Sequence, residues 1–294
     1  MTRVAVVANP TKSGDPYWSR RLLGVLDRAG LPDACWLPTT AEDPGPGQAR
    51  RALADGAELV VVAGGDGTVR SVGTVLAGTG VPMALLPSGT GNLLARNLGI
   101  PLEVEAAARV AASGRTTAID VGRACDGECF LVMAGTGFDA AMLRDTSDRA
   151  KVWLSWAGYV AAGLRHLRGP LATYDLELDG LAVRRQGRGV LVGNVAELQS
   201  GLELLLGARP DDGLLDVAVL GPRTLREWVR LARRVAIGRA PGEHVLERWT
   251  ARSVTVRSSP EQPVQYDGDL VDSAVALRCR VEPGALLVRV PCGS

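Results

Sequence analysis

The chain has 294 residues, with 33 basic against 32 acidic side chains and a formal net charge of +1. That length suits one large domain or two ordinary ones with a sizeable core, and the even charge argues against a nucleic-acid partner or an electrostatically held membrane protein. Five cysteines at irregular spacing read as free thiols of a reducing cytoplasm, and two histidines leave little for a zinc site or a histidine-based triad.

The first apolar stretch, 4–8, is too short for a signal peptide and runs into Asn9-Pro10, so it reads as a buried strand ending in a turn. Strand and helix then alternate. The pattern predicts a helix over 17–29, a short strand at Cys35-Trp36-Leu37 and a helix over 47–55. A strand over 59–63, a helix over 68–76 and a strand over 83–86 follow, then helices over 92–98 and 103–113. Short apolar strands between helices predict a doubly wound parallel sheet, which binds ligands at the carboxyl ends of its strands.

Two glycine-rich turns fall at those ends. Gly64-Gly65-Asp66-Gly67-Thr68 follows the third strand, and Pro87-Ser88-Gly89-Thr90-Gly91-Asn92 follows the fourth. Glycines permit φ > 0 and close approach, while successive N–H groups and a helix N-terminus offer positive potential to a phosphate. Asp66 suits such a place with a metal cation between it and the phosphates, or as N-cap of the helix over 68–76. The chain has no G-x-x-x-x-G-K-[ST] and no G-x-G-x-x-G after its first strand, so it is neither a P-loop enzyme nor a dinucleotide dehydrogenase by motif.

Beyond Thr117 the pattern becomes one of hairpins. Strands are predicted over 119–123, 128–134, 173–178, 183–192, 215–220, 253–257, 264–266 and 286–290, with turns at Asp126-Gly127 and Asp179-Gly180. This half reads as an antiparallel β-sandwich or open barrel, with a cleft expected between the halves. Two helical insertions interrupt it. Residues 148–167 carry Trp153, Trp156, Tyr159, Val160 and Leu164 at helical spacing, and 222–239 carry six arginines against Glu227. Either could lie on an anionic bilayer or pack its apolar side into the core. No run approaches the ~20 apolar residues of a spanning helix; 152–164 is nearest. A soluble or peripheral protein is therefore expected.

Asn9-Pro10, the two glycine turns, Gly135-Thr136-Gly137-Phe138-Asp139-Ala140, Asp211-Asp212-Gly213-Leu214-Leu215-Asp216 and Asp267-Gly268-Asp269 occur in one order along nearly the whole chain. In this the chain resembles the diacylglycerol kinase catalytic-domain family, in its soluble bacterial branch of diacylglycerol kinases and YegS-like lipid kinases. The resemblance implies a nucleotide-binding α/β domain like those of NAD kinases and phosphofructokinases over 1–118. A lipid-substrate β-sandwich over 119–294 would follow it, with a last strand able to return to the first domain.

It also implies an ATP- and Mg²⁺-dependent kinase of a lipid hydroxyl, diacylglycerol before other lipids, working in the cytoplasm and visiting the membrane, with homodimerisation compatible. ATP would lie along Gly65, Asp66, Gly67, Thr68, Val69, Arg70 and Ser71, with Thr90 on phosphate and Thr39 or Thr40 contributing. Asp66 would act through Mg²⁺, and Asp269 would accept the alcohol's proton. A structural Mg²⁺ would take the Arg209 and Leu214 carbonyls and the Asp212 carboxylate. Two departures stand out: Arg70-Ser71 replaces the family's Asn-Glu, and Asp269 replaces the glutamate of D-G-E. A kinase of a soluble acceptor, or a nucleotide-binding regulatory protein without catalysis, are the rival readings.

Overall fold

The computed structural model describes residues 2–10, 17–137, 171–199, 202–203, 205, 207–222, 224, 226–227, 230, 246–271 and 276–292. The chain forms two compact units, Met1–Val121 with Gly284–Ser294, and Gly122–Pro283.

The first unit contains β1 (Val4–Ala8), α1 (Trp18–Ala29), β2 (Cys35–Pro38), α2 (Pro46–Ala54) and β3 (Leu59–Gly64). Then come α3 (Asp66–Leu76), β4 (Met83–Pro87), α4 (Leu93–Asn97), α5 (Val104–Ser113) and β5 (Arg115–Ala124). Strands pair in parallel in the order β2-β1-β3-β4. Every residue of β1, β3 and β4 is buried, as a sheet covered on both faces requires. The strand order reverses sense between β1 and β3, which is where ligands bind in doubly wound sheets. Backbone bonds fasten the loops at that end: Asn9 donates its N–H to the Ala63 carbonyl at 3.0 Å, and Thr39 to Ala8 at 2.8 Å.

The second unit contains β6 (Cys129–Phe130), β7 (Met133–Gly137), β8 (Ala172–Leu178), β9 (Leu181–Gly187) and β10 (Gly189–Gly193). It continues with β11 (Glu197–Gln199), β12 (Leu202–Glu203), β13 (Leu215–Leu220), β14 (Leu246–Ala251) and β15 (Ser253–Ser259). The last strands are β16 (Val264–Tyr266), β17 (Asp269–Val271) and β18 (Ala276–Val290), whose residues from Gly284 onward belong to the first unit. One antiparallel sheet runs β14-β13-β10-β7-β16-β17, and β9, β8, β15 and the start of β18 pair in another. A single core draws Tyr174, Leu176 and Val256 from the second sheet and Val190, Val192 and Val217 from the first, which makes this unit a sandwich.

Several predicted elements need correction. The helix over 68–76 starts at Asp66, with Gly65 as its N-cap, so Asp66 is not the cap of that helix. The strand over 183–192 is two strands broken at Arg188, and that over 128–134 is two strands broken at Leu131-Val132. The sequence pattern predicts no strand at β11, β12, β14 or β17, and β18 is 15 residues long rather than five. Asp179-Gly180 and Asp267-Gly268 are both two-residue hairpin loops with positive φ at each position, the geometry that Asp-Gly favours. All five cysteines are free. The insertion over 148–167 lies outside the described residues, as does most of 222–239. No helix among the described residues is long and apolar enough to cross a membrane.

Arg123 on β5 grips Glu282 on β18 through two guanidinium nitrogens at 3.1 and 2.9 Å. Partial burial pushes the Glu282 carboxyl up, but the hydrogen bonds and charges of Arg123 and Arg280 outweigh it and hold the group below the usual glutamate range. A carboxyl lowered by folding lends stability above its unfolded pKa and loses it as pH falls through the folded one. Urea unfolding between pH 7 and pH 3 is expected to show a steeper acid-side loss for the wild type than for Glu282→Gln. Equal slopes would show that the pair does not couple to folding.

Candidate active site

β3 is an apolar run that ends in Gly64-Gly65, and α3 begins at the very next residue. So abrupt a junction needs glycine. A Cβ on Gly64 would stand 2.7 Å from Thr68 Cβ. The second turn leaves β4 one strand over and is closed by Asn92. The Asn92 side chain accepts from the Gly89 N–H at 3.0 Å and donates to the Gly89 carbonyl at 2.8 Å, while its own backbone takes φ 50°. The two turns then touch backbone to backbone. A Cβ on Gly89 would lie 2.5 Å from Gly65 Cα, and one on Gly65 would lie 3.3 Å from Gly89 Cα.

Asp66 fastens the contact. Its Oδ2 accepts the Asn92 N–H at 2.8 Å and its Oδ1 the Leu93 N–H at 2.7 Å, so the acid of the first turn caps the short helix α4 that follows the second. Burial pushes the Asp66 carboxyl above the usual range, and the backbone N–H groups of Leu93 and Asn92 pull the other way. Gly67 and Thr68 follow in the first turn of α3, where N–H groups have no partner within the helix. Val69 and Thr68 are buried, Arg70 and Ser71 half-buried. Thr90 is exposed at the tip of the second turn, and its hydroxyl has no partner within the described residues. Of the two candidate threonines after β2, Thr39 is 5 % exposed, whereas Thr40 is exposed and its Oγ1 accepts the Asp43 N–H at 3.1 Å. All these residues stand at the carboxyl ends of β2, β3 and β4.

In the second unit Asp269 opens β17 opposite Tyr266, across the Asp267-Gly268 loop, with φ 46° and 90° at the loop residues. Asp269 is exposed. Asp267 is turned inward: its carboxylate accepts N–H groups from Leu131 (2.8 Å), Val132 (2.9 Å) and Met133 (2.8 Å). Fully buried Gln265 accepts the Gly268 N–H through Oε1 at 2.7 Å. In the loop of 209–214, Asp212 is exposed and its Oδ1 accepts the Leu214 N–H at 3.0 Å, while the Arg209 guanidinium pairs with Asp211 at 3.1 Å.

The sequence reading missed Gln265, buried Asn194 and Asp120, which is 2 % exposed and accepts the Gly284 N–H at 2.8 Å. Each interrupts an apolar stretch, and a polar residue at an inward strand position is the signal that would have found it.

The donor chemistry suits Mg²⁺, a hard cation that takes oxygen ligands and keeps water. Each Asp66 oxygen accepts one N–H and retains acceptor capacity for a water of a hydrated ion. The Arg209 and Leu214 carbonyls with Asp212 offer an all-oxygen set. Among the described residues no cluster of three or more His, Cys, Asp or Glu side chains stands ready for a metal, so carbonyls, waters or phosphates would complete any shell.

The description "diacylglycerol kinase catalytic domain" matches residues 3–124, and "YegS C-terminal NAD kinase beta sandwich-like domain" matches 132–290. A Pseudomonas aeruginosa protein named "Probable lipid kinase YegS-like" is 35 % identical over 260 residues, covering 84 % of this chain and 83 % of its own. A Pseudomonas putida protein of the same name is 36 % identical, covering 83 % and 80 %. An uncharacterised Synechocystis protein is 28 % identical over 76 % of this chain, which spans only 53 % of that relative's length. Among solved structures, a diacylglycerol kinase from Bacillus anthracis superposes with TM-score 0.76 at 22 % identity over 98 % of this chain and 96 % of its own. An ATP-bound NAD kinase from Archaeoglobus fulgidus gives 0.52 at 14 % identity over 98 % and 93 %. The α/β-plus-sandwich architecture is thus shared with both.

Asp66→Ala would leave the Asn92 and Leu93 N–H groups without their acceptor in a half-buried junction. The expected cost is about 1–3 kcal/mol, read as a lower denaturant midpoint with unchanged slope. An unchanged midpoint would show that the clamp adds nothing to folding.

Proposed function

The chain belongs to the diacylglycerol kinase catalytic-domain family, and on that premise we propose that it transfers the γ-phosphate of ATP to the hydroxyl of a membrane lipid. Diacylglycerol is the leading acceptor and phosphatidic acid the product. The observation that supports this most is the pair of glycine turns clamped by Asp66 at the carboxyl ends of β3 and β4. Their glycines let backbone N–H groups approach a polyphosphate closely, and the first turn of α3 adds its unpaired N–H groups.

In this reading Gly65, Gly67 and Thr68 hold the phosphates, Val69 with Arg70 and Ser71 line the site along α3, and Thr90 donates its hydroxyl from the second turn. Thr39 fits the remaining contact better as part of the wall and Thr40 as a rim residue, since the Thr40 hydroxyl is already engaged in its own loop. Asp66 would orient waters of Mg²⁺, which when bound offsets charge on the β- and γ-phosphates. Arg70, where relatives of this family carry asparagine, brings a planar donor fork suited to phosphate.

An alcohol is a poor nucleophile, and a carboxylate within hydrogen-bond reach removes its proton as it attacks. Asp269 takes that role. The acceptor oxygen forms a bond to the γ-phosphorus, the bond from that phosphorus to the β,γ-bridging oxygen breaks, ADP leaves, and the proton passes to Asp269. A lipid acceptor also requires the protein to meet a bilayer surface during turnover.

The test is phosphate transfer from γ-labelled ATP to mixed micelles containing diacylglycerol, with Mg²⁺ and with EDTA. Magnesium-dependent labelling that falls by 10²-fold or more in Asp269→Asn is expected. Labelling of NAD or another soluble alcohol, with no lipid labelled, would replace the lipid acceptor. ATP binding with no acceptor phosphorylated would leave a regulatory protein.

A further inference from the structure

We infer that Asp267 and Gln265 are positioning residues that hold the Asp269 carboxylate for proton abstraction, an inference that rests on the role proposed for Asp269. Asp269 begins a three-residue strand at the end of its sheet order, and among the described residues β17 is paired only with β16. Short edge strands offer few ladder bonds, so the direction of a side chain at their first residue is set by the turn before it.

That turn is fixed more firmly than hairpin geometry demands. A two-residue loop with positive φ at both positions is satisfied by Asn-Gly as well as by Asp-Gly. The charge of Asp267 is therefore not explained by the turn alone. It meets three successive N–H groups, those of Leu131, Val132 and Met133, in the link between β6 and β7. Asp267 also donates its own N–H to the Met133 carbonyl at 2.8 Å. The receiving segment is itself secured. Asn194, after β10, donates its backbone N–H to the Val132 carbonyl at 2.9 Å and its Nδ2 to the Leu131 carbonyl at 3.2 Å.

Gln265 closes the other side. It is fully buried on β16, opposite Gly135 of β7, and its Oε1 takes the Gly268 N–H, the amide directly before Asp269. Both residues of the loop are thus tied to the interior, Asp267 through its carboxylate and Gly268 through its N–H to the Gln265 side chain. The two acids of one three-residue motif have divided labour: Asp267 spends its charge on the backbone, and Asp269 stays at the surface.

A base displaced by an ångström loses about 10²-fold in rate while substrate binding survives. Asp267→Asn keeps the turn preference but sets an NH₂ against donors that need an acceptor, and Gln265→Met deletes the Gly268 acceptor at similar volume. The full-length protein is assayed with ATP and diacylglycerol micelles well below the measured Tm of each variant. Either substitution is expected to lower kcat by roughly 10- to 100-fold with the KM for ATP within about twofold. In the Asp269→Asn background the same substitutions are expected to cause no further loss, because residues that act as one unit are not additive.

Wild-type kcat in both folded variants overturns the inference, as does a loss that persists in full in the Asp269→Asn background. Should Asp267→Asn fail to fold, Gln265→Met carries the same two readouts. Full turnover by Asp269→Asn, or none by the wild type on any lipid, overturns the proposed role of Asp269 and this inference with it. That result is distinguishable from an inactive Asp269→Asn beside wild-type kcat in Asp267→Asn and Gln265→Met, which overturns the inference alone.

Discussion

A carboxylate that accepts two successive backbone N–H groups is a fastener with no freedom to rotate, and the first unit is organised around one. Asp66 starts α3 and caps α4, so two turns from neighbouring parallel strands are held as a single surface. The contact it maintains is between bare glycines, where Gly89 would place a Cβ only 2.5 Å from Gly65 Cα. Without glycine the turns could not approach, and Asp66 adds two bonds to the one in which the Ser88 N–H meets the Gly64 carbonyl at 3.1 Å. Burial works against ionising that carboxyl, while the N–H groups it caps favour the charge. A divalent cation nearby would tip the balance further toward the anion.

The second unit repeats the device. Asp179, in its own Asp-Gly loop, accepts the N–H groups of Arg252 and Ser253, as Asp267 accepts those of Leu131 to Met133. Left-handed backbone at a non-glycine residue is unfavourable by itself and persists where surroundings determine it. In both loops the aspartate that adopts it repays the strain by sealing the start of a neighbouring segment: β15 for Asp179, and the approach to β7 for Asp267. Turn chemistry and sheet registration are thus the same interaction seen from two ends.

Much of this was legible in the sequence where periodicity and burial agree. β1, β13 and β16 have the bounds their apolar runs suggest, and the helices of the first unit are displaced by at most two residues. The errors have physical causes. α3 was read as starting at Thr68 because Gly65, Asp66 and Gly67 look like loop, whereas the dense glycine is what lets the helix begin against the strand. β14, with Glu247, Arg248 and Trp249 in sequence, has a half-buried face and reads as surface. β18 contains Pro283-Gly284, which punctuates most strands, yet its alternation of buried and open positions continues on both sides. The candidate site was legible as motifs but not as contacts. Asp66 could be assigned to phosphate chemistry from its neighbours, while its partners lie 26 and 27 residues away, and no local pattern encodes that pairing.

The same limit applies to the two acids of Asp267-Gly268-Asp269. As sequence the two are equivalent carboxylates flanking a glycine. As structure, the hairpin loop separates them. Asp267 occupies the loop itself and faces three N–H groups, whereas Asp269 resumes the strand and is exposed. The Asp267 carboxylate is thereby committed to anchoring the loop on the link between β6 and β7. The loop's two ties to the interior, through Asp267 and through Gln265, therefore fix where β17 begins.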